Sequence, residues 1–235
     1  MTDLYYNKFN FDVFIIDFDD SFTFNIVNSI NKLKLKILVI SHDKSEEFLE
    51  EFISFKTSNN KHQVLLLGPG PGHPNEYQHI FNLLKQIINL PSIFIMGVCL
   101  GHQIIGSLLG GEVVRSSFPK HGEKVEIKVP SWPHIYPREM WNKNTSVQRY
   151  NSLVVQFKYL SDRVLCSVDN GEISQLISTN LFSMQFHPES VGTSYPNLFF
   201  NSILNFLYNI TNEEFENFRN LQSRNCALTA RARYL

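Results

Sequence analysis

Apolar positions in the first part of the chain come in short unbroken runs, and the gaps between the runs show helical periodicity. The runs "DVFIID" (12–17), "KILVIS" (36–41), "QVLLL" (63–67) and "SIFIM" (92–96) are short and rich in β-branched and aromatic residues, so each predicts a buried strand. Between them, "SFTFNIVNSINKL" (21–33), "SEEFLEEFISF" (45–55) and "EYQHIFNLLKQIINL" (76–90) space their apolar residues as one face of a helix, with Ser21 placed to cap the first. Unbroken apolar strands must be covered on both sides. The pattern therefore predicts an α/β fold, a mostly parallel central sheet with helices on both faces.

Beyond "GHQIIGSLLGG" (101–111) the rhythm changes. "EKVEIKV" (123–129) alternates like a half-exposed strand, and "PSWPHIYPREMW" (130–141) interrupts it. Short strands follow at 153–157, 163–168 and 173–177, which together predict a small antiparallel insert within or beside the main sheet. "LFSMQF" (181–186) is a further strand ending at His187, and "YPNLFFNSILNFLYNI" (195–210) is a last amphipathic helix. Residues 1–211 are thus expected to form one domain, and 212–235 a tail that starts helical and ends frayed.

Composition narrows the class. With 43% hydrophobic and 18% charged residues in 235, the chain can bury a sizeable core and is not disordered. A formal net charge of −1 leaves no electrostatic footprint for nucleic acid or an anionic membrane. Cys99, Cys166 and Cys226 are odd in number and widely spaced without a CxxC pair, which argues against a disulfide framework and a zinc site and for a reducing compartment. The opening "MTDLYYNKFNFD" lacks a signal-peptide pattern, and no apolar run is long enough to span a bilayer. A cytoplasmic protein is expected.

Three loops at strand ends carry candidate chemistry. In "GVCLGHQ" (97–103) a cysteine sits between a strand and a helix start. Cys99 reads equally as a packed core thiol or as a nucleophile whose thiolate the helix end favours, with the Leu100 N–H facing an oxyanion. "QFHPES" (185–190) offers a base, His187, and an orienting acceptor, Glu189, across the stiff Pro188; the competing reading is an exposed loop histidine. "GPGPGHP" (68–74) is a rigid loop after a strand, either an ordinary turn or a source of backbone N–H donors such as that of Gly70. It lacks the Lys-Ser/Thr of a phosphate loop. Carboxylates in "DFDDSFTFN" (17–25) suggest helix capping by Asp20 and Ser21 rather than a metal, and the remaining histidines have no metal-ligand spacing. His102 is expected to give structural support and Cys166 to lie in the core.

Taken together, "DFDDSFTFN", "GPGPGHP", "GVCLGHQ", "QRYNSL" (148–153) and "MQFHPES" (184–190) resemble the class I, triad-type glutamine amidotransferases, and among them the small component of anthranilate and aminodeoxychorismate synthases. The resemblance implies Cys99 as nucleophile, His187 as base and Glu189 as its orienter, with Gly70 and Leu100 forming an oxyanion hole. It implies a glutamine pocket lined by Gly70, Pro71, Gly72, Gln103, Ser152 and Leu153. It also implies hydrolysis of L-glutamine to glutamate, no cofactor or metal, and delivery of ammonia to a chorismate-binding synthase subunit in a hetero-oligomer. A silent scaffold and a γ-glutamyl peptidase are the competing readings. The chain departs from the family pattern at Gly68, where serine is usual, and at Asn151, where histidine is usual.

Overall fold

Within each unbroken apolar run, successive side chains point to opposite faces of one sheet, so one sequence supplies two cores. The computed structural model describes residues 8–132, 135–161, 164–208 and 232–234. In chain order the first half contains β1 (Val13–Asp17), α1 (Thr23–Asn31), β2 (Ile37–Ser41), α2 (Ser45–Ser58), β3 (Gln63–Leu67), a 3-10 segment (Pro74–Ile80), α3 (Phe81–Ile87), β4 (Ile93–Val98) and α4 (Leu100–Leu108). The second half contains β5 (Glu112–Arg115), β6 (Glu123–Lys128), β7 (Asn144–Arg149), β8 (Leu153–Gln156), β9 (Leu165–Asp169), β10 (Glu172–Ser178), β11 (Leu181–Met184), α5 (Asn197–Tyr208) and β12 (Ala232–Tyr234).

The main sheet has the order β12-β2-β1-β3-β4-β11-β10-β9. Its centre is parallel: Val13 aligns with Ile37 on one side and Val64 on the other, and β4 pairs with both β3 and β11. Val13, Ile15, Val64 and Leu66 face one core with Ile26 and Ile30 of α1 and Phe199, Phe200 and Ile203 of α5. Phe14, Ile16, Leu65 and Leu67 face the other, with Phe48 and Phe52 of α2 and Ile104 and Ile105 of α4. Helices cover both faces, as the unbroken runs require. The insert takes three forms: β9–β10 extends the sheet antiparallel from β11, while β5–β8 and β6–β7 form two separate ribbons. Among the described residues no helix is long and apolar enough to cross a membrane.

Several local expectations are corrected. Ser21 does not cap α1: the N-cap is Phe22, without a side-chain acceptor, and Asp20 Oδ1 takes the Phe22 N–H at 2.7 Å. The helix expected over 76–90 is a 3-10 segment followed by the short α3. Tyr77 leaves helical geometry (φ −111°, ψ 19°) and packs its ring on Phe18 at 4.7 Å. Cys166 is exposed, because β9 is an edge strand with one face open to solvent. Strands β5 and β7 have no counterpart in the sequence reading, their residues being mixed polar and apolar. Of the tail, Ala232–Tyr234 runs parallel to β2; the rest, with Cys226, lies outside the described residues.

Candidate active site

Strand β4 ends directly on Cys99, whose backbone (φ +51°, ψ −100°) lies where side-chain-bearing residues are rarely found. Such a conformation costs about 1–3 kcal/mol and persists only where the surroundings over-determine it. Here the Cys99 N–H bonds the Met184 carbonyl of β11 at 2.9 Å, and the Gly101 N–H bonds the Gly68 carbonyl at 3.1 Å. A Cβ on Gly101 would sit 2.1 Å from the Leu67 carbonyl oxygen, so only glycine lets α4 start this close to β3. Cys99 thereby stands at the carboxyl ends of the parallel strands, where α4 begins and its free N–H groups carry partial positive charge.

The loop after β3 lies against the same helix start. A Cβ on Gly70 would fall 2.5 Å from Phe18 Cβ and 2.7 Å from Leu100 Cδ2, so backbone replaces side chain at this junction. Pro71 and Gly72 are exposed. At the far end of the loop, Glu76 accepts the His73 N–H at 2.6 Å and pins its exit.

His187 follows β11 and is 2% exposed. Its Nδ1 meets Glu189 Oε1 at 2.7 Å, and the Cys99 side chain is near enough to act on the ring. The main chain is pinned on both sides: the His187 N–H bonds the Gln148 carbonyl of β7 at 2.9 Å, and Thr193 Oγ1 donates to the His187 carbonyl at 2.6 Å. Phe22 and Tyr150 set their rings against the imidazole at 5.4 and 5.0 Å. Burial disfavours the imidazolium, yet the hydrogen bonds and negative charges of Cys99 and Glu189 outweigh it and hold His187 well above its ordinary pKa. The cluster is thus arranged to carry an imidazolium between two acids, Cys99 and Glu189.

Around β8 a polar network fills the space beside Cys99. Gln103 Nε2 donates to the Leu153 carbonyl (3.1 Å) and to Gln185 Oε1 (3.3 Å), and Gln185 Nε2 donates to Cys99 Sγ (3.8 Å). Asn151 Nδ2 also donates to the Leu153 carbonyl at 3.0 Å, while its Oδ1 accepts from Arg149 Nε at 3.0 Å. Arg149, 2% exposed, pairs with Asp169 at 2.9 Å and Glu172 at 2.8 Å. The unusual Asn151 therefore braces the Leu153 carbonyl. Ser152 is exposed, with its hydroxyl 3.4 Å from His121 Nε2.

Phe22, Tyr150, Gln148, Arg149 and Gln185 were not singled out in the sequence, although four of them stand within "QRYNSL" and "MQFHPES". Their signal was adjacency to named residues. His102 is fully buried, with Nδ1 2.9 Å from Ser183 Oγ, and burial drives its pKa down to about 3; its place is under the sheet. Asp17 accepts from Thr23 Oγ1 at 2.7 Å and Asp19 pairs with His42 at 3.0 Å, so these carboxylates serve the turn. Among the described residues no group of three or more His, Cys, Asp or Glu side chains is placed to hold a metal ion.

The glutamine amidotransferase class-I family model matches residues 14–206. The aminodeoxychorismate/anthranilate synthase component 2 of Bacillus subtilis is 32% identical over 192 residues, covering 78% of this chain and 90% of that protein. The anthranilate synthase component 2 of Helicobacter pylori is 30% identical over 183 residues, covering 77% and 90%. A crystal structure of a glutamine amidotransferase from Thermotoga maritima superposes with a TM-score of 0.56 at 16% identity over 90% of each chain, a likeness of fold. With the family model spanning most of the chain, the chain belongs to the class-I glutamine amidotransferases.

Proposed function

We propose that this chain hydrolyses L-glutamine to glutamate and hands the ammonia to a chorismate-using synthase subunit. The observation that carries the reading is the buried imidazole of His187, which bonds the Glu189 carboxylate at 2.7 Å and whose pKa Glu189 and Cys99 together raise. The Cys99 thiolate attacks the side-chain amide carbon of glutamine, and the new oxyanion is received by the N–H groups of Gly70 and Leu100. The close packing of Gly70 on Leu100 supports that pairing. The His187 imidazolium gives its proton to the departing nitrogen, which leaves as ammonia with formation of a γ-glutamyl thioester. His187, now neutral, takes a proton from water, whose oxygen attacks the thioester; glutamate leaves and the thiolate–imidazolium pair returns. Glu189 holds the ring and offsets its charge throughout. Gln103, Leu153, Ser152 and the Gly70–Gly72 loop bind the amino acid. No metal or cofactor is needed by these steps.

The names of the Bacillus and Helicobacter relatives support a partner that converts chorismate, to anthranilate or to aminodeoxychorismate. Cys99→Ala is expected to lower glutamine hydrolysis at least about ten-thousand-fold, while the partner keeps making product from free ammonia. Undiminished hydrolysis by that variant would falsify the reading. Hydrolysis by the isolated chain is expected to be slow and to rise when the synthase binds, since such sites are commonly completed by closure.

A further inference from the structure

Gln185 brings a second polar group to the Cys99 sulfur, and its side chain is 1% exposed. The two ends of a side-chain amide are nearly alike in shape, so the surrounding hydrogen bonds decide whether N–H or C=O faces the sulfur. Here the decision is imposed from outside. Arg149 is a donor only, so Asn151 must turn its oxygen to Arg149 and its nitrogen to the Leu153 carbonyl. That carbonyl is an acceptor only, so Gln103 must present its nitrogen to it, and the same nitrogen meets Gln185 Oε1. Gln185 is left with one orientation, Nε2 towards Sγ.

We propose that Gln185 is a further catalytic residue, an N–H donor to the Cys99 sulfur whose direction is fixed by the Leu153 carbonyl acting through Gln103, with Asn151 and Arg149 bracing that carbonyl. The inference rests on the reading of Cys99 as the nucleophile. An N–H donor is bound more strongly by a thiolate than by a thiol, so it enlarges the thiolate fraction and holds the sulfur against rotation. The relay also joins the glutamine pocket to the nucleophile, because Gln103 belongs to both.

The test is the pH dependence of Cys99 alkylation by iodoacetamide in the full chain, followed on the Cys99 peptide by mass spectrometry so that Cys166 and Cys226 do not intrude. Gln185→Met keeps the volume and removes the donor. Its alkylation midpoint is expected to rise by about one pH unit, slowing the reaction near neutrality about tenfold, with kcat falling and KM within about twofold. Gln185→Leu removes the donor with another apolar side chain and is expected to raise the midpoint to a similar extent. A role confined to packing predicts an unmoved midpoint in both, and that result in folded Gln185→Met overturns the proposal. If Gln185→Met does not fold, an unmoved midpoint in Gln185→Leu overturns it equally. Alkylation consumes no glutamine, so a chain that alkylates as expected yet never hydrolyses glutamine sinks the proposed function alone.

Discussion

At the ends of β3 and β4 the backbone itself positions Cys99, whereas around β7, β8 and β10 a buried guanidinium does the positioning. In the parallel half, close approach is the device: a glycine at 101 whose Cβ would stand only 2.1 Å from the Leu67 carbonyl oxygen, a positive φ at Cys99, and main-chain bonds to Gly68 and Met184. None of these titrates. In the hairpin half, Arg149, Asp169, Glu172, Asn151 and Gln103 exchange charged and neutral hydrogen bonds to orient one carbonyl and two amides. Sterics can hold a nucleophile in place but cannot tell the nitrogen of an amide from its oxygen. A fixed donor such as a guanidinium can.

The contrast is broken most severely at Arg149. Arg149→Leu strands two carboxylates that are largely buried and is expected to cost about 3–5 kcal/mol in denaturant unfolding. Against burial, which pushes it up, the Ser116 hydroxyl and Arg149 hold the Glu172 carboxyl below its ordinary range. A depressed carboxylate contributes stability that is complete above the ordinary carboxylate pKa and fades as pH falls through the depressed value. The wild type should therefore lose stability in that acid window, and Arg149→Leu should lose less there. A cost under 1 kcal/mol at neutral pH would mean that the guanidinium is ornamental.

The matching change in the parallel half is Gly101→Ala. The added methyl meets backbone rather than a movable side chain, so α4 must shift away from β3, at an expected cost of about 1–3 kcal/mol. The penalty should be the same across the pH range in which Arg149→Leu varies. Because the shift moves Cys99, glutamine hydrolysis should fall beyond what the loss of folded protein explains. A Gly101→Ala chain with unaltered hydrolysis would show that the elbow is looser than its contacts suggest.

The two halves also differed in how far the sequence exposed them. Strands β1 to β4 were visible because burial on both faces leaves unbroken apolar runs, and Cys99 and His187 because each directly follows such a run. The convergence of the two was legible only as a shared position at strand ends. Strand β7, "NTSVQR", hides a wholly buried arginine whose partners Asp169 and Glu172 lie on other strands, and local patterning carries no trace of such a pairing. Tyr77 likewise escaped, since its helical spacing is overridden by its packing on Phe18. Of the two residues whose type suggests a cap, Asp20 takes the Phe22 N–H and Ser21 does not.

His102 sharpens the comparison from the other side, being a titratable group buried in the sterically held half. It lies on α4 three residues past Cys99 and bonds Ser183 of β11, with burial driving its pKa down to about 3. In the unfolded chain it titrates near 6.5. Between these values the unfolded state binds the extra proton, so stability must fall as pH drops from about 6.5 towards 3, by roughly 1.4 kcal/mol per unit. His187, whose pKa is raised, contributes fully below 6.5 and is lost only as pH rises, so it adds no slope in this window. Removing the imidazole leaves a cavity whose cost does not depend on pH, and the slope rather than the level is the measurement. Urea unfolding of His102→Asn at pH 7 and pH 5.5 is expected to lose about 1.4 kcal/mol less between the two than the wild type does. Equal losses would mean that the buried ring takes up its proton inside the fold, and that the parallel half is less dry than its packing implies.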